Sequence, residues 1–150
     1  MTNIIQAFED ENLLGRSFSA SSRESWKAVL SGAFAVPMDD DRLAKFKELS
    51  GDREPPLQRV RELYAGAGRR ADKTHEGMGI SVYQATIGAE LDGTLANLSA
   101  GERPTVLIVA VDRDQAKVAM SYASGMLHES PLLSQMIADE KAESITLTNG

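Results

Sequence analysis

The chain has 150 residues, 42% of them apolar and 25% charged, a composition that suits one globular domain with a single buried core. Its net charge of -6 excludes a general nucleic-acid coat, because nonspecific DNA binding relies on basic surface to displace counterions. The absence of cysteine excludes disulfides and thiolate metal centres, and His75 and His128 are too few imidazoles for a zinc site.

The first predicted element is a helix carrying Trp26, Val29, Leu30, Ala33 and Phe34 at helical spacing. Ser21 and Glu24 form a capping-box pattern at its start, and Pro37 ends it. Asp39-Asp40-Asp41 opens a second helix, with Leu43, Phe46 and Leu49 as its stripe and Gly51 as its stop. The aspartate run lacks the alternating spacing of a calcium loop, so it reads as a helix start. Residues 1–52 thus form an N-terminal helical segment, a cap over the rest of the chain.

Gly51-Asp52-Arg53-Glu54-Pro55-Pro56 is a linker by composition, and residues 60–65 can make a short strand. From Lys73 the pattern turns helical, with Met78, Val82, Ala85 and Ala89 on one face, widened by Ile80, Ile87, Leu91, Leu95 and Leu98. Residues 105–111, Thr-Val-Leu-Ile-Val-Ala-Val, are the continuous apolar run of a strand buried on both faces. Asp112 and Gln115 cap a helix through Ala116, Ala119, Met120, Ala123 and Leu127 that Pro131 closes. Residues 144–150 read as a strand entering a hairpin turn with no return strand, as a piece of something longer would. The alternation of strands and helices predicts an α/β fold: an N-terminal helical cap, then an incomplete parallel sheet with flanking helices over residues 53–150. No apolar run reaches the roughly 18 residues of a membrane span, and Phe8-Glu9-Asp10-Glu11 lacks the basic flank of a secretion signal. The expectation is a cytoplasmic chain without a membrane partner.

The chemistry concentrates in Gly68-Arg69-Arg70-Ala71-Asp72-Lys73-Thr74, between a predicted strand and a predicted helix. A P-loop wraps phosphate oxygens in backbone N–H groups, uses its lysine on the β- and γ-phosphates and uses the next hydroxyl on Mg²⁺. Lys73 and Thr74 stand at those positions, but Ala67 and Asp72 stand where the template has glycine. A simpler reading makes Gly66 and Gly68 a plain turn with Arg69 and Arg70 on a solvated surface. Asp112 ends an apolar run, as a Mg²⁺-holding aspartate does, but it is better explained as a helix cap. His75 reads as a solvent-facing first-turn residue, His128 as a partner of a helix C-terminus, and Trp26 as core or as a cover for an adenine. Arg53, Arg59, Arg61, Arg69, Arg70 and Lys73 are 6 of the 16 basic residues, a clustering that suits polyphosphate or a DNA backbone or balances the acidic N-terminus.

Together these residues resemble the N-terminal part of the ATPase domain of a tailed-phage terminase large subunit, the DNA-packaging motor. The resemblance runs through Leu13-Leu14-Gly15, Ser25-Trp26-Lys27-Ala28, Val36-Pro37-Met38, the loop itself, Ala100-Gly101-Glu102-Arg103, residues 110–116 and Leu147-Thr148-Asn149-Gly150. It implies that the incomplete parallel sheet is P-loop NTPase-like, that Gly68, Arg69, Arg70, Ala71, Asp72, Lys73 and Thr74 bind ATP, that Lys73, Arg69 and Arg70 assist at the phosphates and that Thr74 ligates Mg²⁺. It also implies DNA, a portal and a small terminase subunit as partners of the full-length protein. Ala71 and Asp72 replace the two glycines of the family's loop, and the family's Walker B, coupling and nuclease parts would lie beyond residue 150. Two alternatives stay open: a truncated, non-catalytic prophage relic that binds or scaffolds, and an unrelated α/β domain holding a small anion on its Arg69-Arg70 turn.

Overall fold

The computed structural model describes residues 2–18 and 23–149, which form seven α-helices and one two-stranded antiparallel sheet. Helix α1 (Ile4–Glu9) is held by a reciprocal cap: Gln6 N–H donates to Asn3 Oδ1 at 2.9 Å, and Asn3 N–H donates to Gln6 Oε1 at 3.0 Å. Apolar periodicity does not reveal this helix, because it spans less than two turns. Helix α2 (Gly15–Phe18) follows, then α3 (Glu24–Ala33), whose predicted Ser21 cap lies outside the described residues. Helix α4 (Asp40–Ser50) starts and stops as expected: Asp39 accepts from Arg42 N–H at 2.8 Å, and Gly51 ends it in the left-handed conformation at φ 71°.

Helix α5 (Lys73–Tyr83) continues through a π-helical turn, Gln84–Gly88, into the short α6 (Ala89–Leu91). In that turn the Ala85 carbonyl accepts from the Asn149 side chain at 3.0 Å, and Thr86 Oγ1 donates to the Val82 carbonyl at 2.7 Å. Helix α7 (Arg113–Glu129) has the predicted cap: Asp112 Oδ1 accepts from Gln115 N–H at 2.8 Å, and Oδ2 accepts from Gln115 Nε2 at 3.1 Å.

The strands depart from expectation. Among the described residues no parallel sheet forms; the chain is mixed helix and strand, but its sheet is an antiparallel hairpin of β1 (Ile137–Lys141) and β2 (Ser144–Leu147). The predicted C-terminal strand therefore exists, and its partner precedes it, registered from Ile137↔Leu147 to Lys141↔Ser144. Strand β1 escapes notice in the sequence because Ile-Ala-Asp-Glu-Lys lies on the surface and carries no apolar alternation.

Residues 60–65 and 105–111 form no strand. Near the first, Val60 N–H donates to the Ala33 carbonyl at 2.9 Å, and no ladder follows. In the second, Leu107, Val109 and Val111 are 80%, 83% and 93% exposed while Ile108 leans on the core. A strand satisfies its backbone only through a neighbour, and neither segment has one among the described residues.

The core crosses the 1–52 boundary. Ile4, Phe8, Leu14, Phe18 and Leu30 pack in one cluster with Met78, Val82, Tyr83, Ala123, Leu127 and Leu133. Phe8 and Phe18 stack with ring centroids 4.0 Å apart, each worth about 2–3 kcal/mol of burial. Gly79 lets them approach α5, since a Cβ there would lie 2.3 Å from Phe18 Cζ. Ser130 Oγ donates to the Asn12 carbonyl at 2.8 Å, so the end of α7 is tied to the N-terminal turn. Among the described residues no helix is long and apolar enough to cross a membrane.

Candidate functional site

The loop predicted to carry chemistry lies at the N-terminus of α5, an 11-residue helix whose first amide groups point toward it. Gly68, Arg69, Arg70, Lys73 and Thr74 are exposed, and Ala71 is half-buried. The structure thus gathers three cationic side chains at one helix start, but it supplies no strand before them. Gly66 and Gly68 consequently face open space, and a Cβ on either would meet nothing within 4 Å.

Two loop residues hold left-handed backbone: Arg70 at φ 63° and Asp72 at φ 51°. Each costs a non-glycine residue about 1 kcal/mol. Glycine takes this conformation freely, and Asp72 is one of the two positions where a glycine was expected. The Asp72 side chain makes no cap bond to its own helix, although it occupies the cap position.

Side chains of α3 and its approach hold the strained turn. Trp26 Nε1–H donates to the Ala71 carbonyl at 2.9 Å, between the two left-handed residues. The Asp72 carboxylate lies 3.5 Å from Arg23 Nη2. Arg23 Nη1 reaches Glu76 Oε1 at 2.7 Å and His75 Nδ1 at 2.9 Å. A guanidinium only donates, so Nδ1 accepts and the ring proton sits on Nε2. Arg23 also lies over the Phe18 ring, 5.0 Å from its centroid.

His75 is therefore not the solvent-facing residue expected. Its ring lies between Phe18 and Tyr122, with centroids at 4.8 and 5.2 Å. Burial pushes its pKa down, and the Arg23 charge adds to that, against the weaker pull of Asp72 and Glu129. Glu76 is 1% exposed, and burial raises its pKa despite the Arg23 hydrogen bond. Its Oε2 and Arg23 Nε are buried without hydrogen-bond partners among the described residues.

Thr74 lines a shallow pocket of about 320 Å³ with Asp112, Asp114, Gln115 and Val118. A hydroxyl and carboxylates are oxygen donors of the kind a hard cation takes. Both Asp112 oxygens are engaged by Gln115, and among the described residues no three His, Cys, Asp or Glu side chains are grouped to hold a metal. The two carboxylates make this pocket unsuited to phosphate, and its oxygens are of the kind that a hard cation takes.

The remaining candidates disperse. Arg59 pairs with Asp92 at 3.0 Å and stacks on Phe34, away from the loop. His128, in the last turn of α7, meets Glu140 of β1 at 2.7 Å. A cleft of about 860 Å³ lies elsewhere, between the π-helical turn, α7, the hairpin and residues 103–108. Sequence reasoning missed Arg23 and Glu76, although one signal existed: Glu76, Gly79, Tyr83 and Thr86 share a helix face, and a carboxylate on that buried face needs a cation.

Comparison with family models, with curated proteins and with solved structures found no match to this chain.

Proposed function

We propose that residues 68–74 bind the phosphates of ATP and that the chain is the nucleotide-binding front of a terminase-type large subunit. The observation that carries this reading is that Arg69, Arg70 and Lys73, all exposed, lie beside the left-handed residues 70 and 72 at the start of α5. Backbone N–H groups and a helix N-terminus favour an anion there, and the three cations add to the attraction. In this reading Lys73, Arg69 and Arg70 contact phosphate and the Thr74 hydroxyl holds Mg²⁺. That cation, when bound, would neutralise charge on the phosphates.

The left-handed backbone at Asp72 supports the resemblance, because that position carries glycine in the family's loop. The exposure of Leu107, Val109 and Val111 supports a parent domain in which residues 105–111 are an inner strand of a parallel sheet, paired with strands outside these residues. Hydrolysis, DNA translocation and contact with a portal and a small subunit belong to that full-length motor, in the cytoplasm of a host cell.

Asp72 favours a second reading, a non-catalytic prophage relic that binds or scaffolds. A carboxylate about 4 Å from a phosphate costs about 1 kcal/mol even at the screening of water. Titration calorimetry with Mg²⁺ and a nonhydrolysable ATP analogue separates the two. The nucleotide reading expects micromolar binding that Lys73→Ala abolishes and Asp72→Gly strengthens. A folded chain that binds nothing, with Asp72→Gly equally silent, sinks it.

A further inference from the structure

The loop holds backbone that its own residues do not favour, and two long-range contacts meet it at that spot. Arg70 and Asp72 are left-handed, and the carbonyl of Ala71 between them is taken by the Trp26 indole at 2.9 Å. Arg23 faces Asp72 at 3.5 Å and is itself fixed on Glu76, a residue buried in the first turn of α5. Strain of this kind persists only where surrounding contacts over-determine the conformation. Neither contact is local: 45 residues separate Trp26 from Ala71, and 53 separate Arg23 from Glu76.

We propose that Trp26 and Arg23 are positioning residues that clamp the loop in its left-handed shape, and that Arg23 compensates for Asp72 standing at a position that suits glycine. The indole fixes the direction of the Ala71 peptide, and the guanidinium balances a carboxylate that would repel an anion at the start of α5. The link to phosphate rests on the nucleotide reading; the clamp itself does not.

Glycine at position 72 removes one of the two strained residues and so needs less of a clamp, which gives the proposal a signature that a merely structural role lacks. Hydrogen exchange is measured by mass spectrometry on the full chain without nucleotide, comparing amides of residues 69–76 with those of α7. Trp26→Phe keeps an aromatic ring and removes the donor. Within residues 69–76 it should speed exchange of the Glu76 amide, which donates to the Asp72 carbonyl at 2.9 Å, by about five- to tenfold, the factor that one net hydrogen bond is worth, and leave α7 unchanged. Arg23→Gln should do the same, and adding Asp72→Gly to either variant should return exchange part of the way to the wild-type rate, since Arg70 stays left-handed. Because Arg23→Gln strips Glu76 of its partner, the Arg23→Gln/Glu76→Gln double variant carries this arm if the single variant does not fold.

Unchanged exchange in Trp26→Phe overturns the clamp, and so does acceleration that Asp72→Gly fails to reduce. Both outcomes are read without ATP, so a failed clamp and a failed nucleotide site remain distinguishable.

Discussion

The helical body and residues 105–111 are both rich in apolar side chains, yet only the body buries them. In the body Phe8, Phe18 and Leu30 are at most 1% exposed, whereas Val109 and Val111 stand almost fully in solvent. The difference lies in how each element satisfies its backbone. A helix closes its hydrogen bonds within itself and needs only one apolar stripe covered. A strand leaves every N–H and C=O to a neighbour, so a β-branched run without one is extended chain and nothing more.

The widest test of that contrast is a pair of truncations. Phe18→Ala should lower the unfolding free energy by about 3–5 kcal/mol, because it opens a cavity among Phe8, His75 and Gly79. Val109→Ala should change it by less than about 0.5 kcal/mol. Urea unfolding followed by far-ultraviolet circular dichroism reads both. A Val109→Ala loss above about 1.5 kcal/mol would mean that residues 105–111 are packed in solution and would break the comparison.

Next in size is the charge inside the body. Arg23→Ala leaves the Glu76 carboxylate buried without its cation and should cost about 2–3 kcal/mol, below the usual loss for a broken buried pair because Arg23 keeps some access to water. Arg23→Ala/Glu76→Gln should recover more than half of that. A double variant as unstable as the single would show that Arg23 acts through packing on Phe18 instead. Smaller again is Asp112→Ala, expected to cost about 1 kcal/mol through the lost α7 cap.

The same contrast decides what could be read from residue order alone. Asp39 with Gly51, and Asp112 with Gln115, name two helices because caps and stops act within four residues. The start of α5 at Lys73 was legible from the helical spacing of Met78 and Val82 instead, and with it the place of Arg69, Arg70 and Thr74. Contacts of long sequence separation were not legible. Trp26 to Ala71 leaves no local pattern, Glu76 on its buried helix face calls for a cation without pointing to Arg23, and the π-helical turn at Gln84–Gly88 is met by Asn149, 64 residues from Ala85. Residues 105–111 show the reverse error: the local pattern is that of a buried strand, but no partner strand for it is found among the described residues.

Two titrating groups give a smaller, opposed pair of slopes. Burial raises the Glu76 pKa, so the folded chain holds that proton more tightly than the unfolded chain does. The stability this adds is present below the ordinary carboxyl value and is lost as pH rises through the raised one. His75 runs the other way. Its pKa is lowered by burial and by Arg23, so its contribution is present above about pH 6.5 and is lost as pH falls through the lowered value. Relative to wild type, His75→Gln should flatten the loss of stability below about pH 6.5, and Glu76→Gln should flatten the loss on the alkaline side of the ordinary carboxyl range. Urea midpoints between about pH 4 and 8 check both, and parallel profiles for His75→Gln and wild type would remove His75 from the account.

The smallest expected effect on stability is the most informative about residues 105–111. Val109→Lys places a charge on a side chain already 83% exposed, so the helical body should not register it and the unfolding midpoint should stay within error. Its effect belongs to association. An unpaired β-branched run offers free N–H and C=O groups to any other extended chain, and an inserted lysine is a common device that prevents such pairing. Light scattering at rising protein concentration should therefore show self-association in wild type that Val109→Lys suppresses. Glu140→Lys, a charge change on the already paired hairpin, should leave it unaltered. If Val109→Lys instead unfolds the chain, Val109 is buried in solution, and residues 105–111 have found within this chain the neighbour that the contrast between helix and strand denies them.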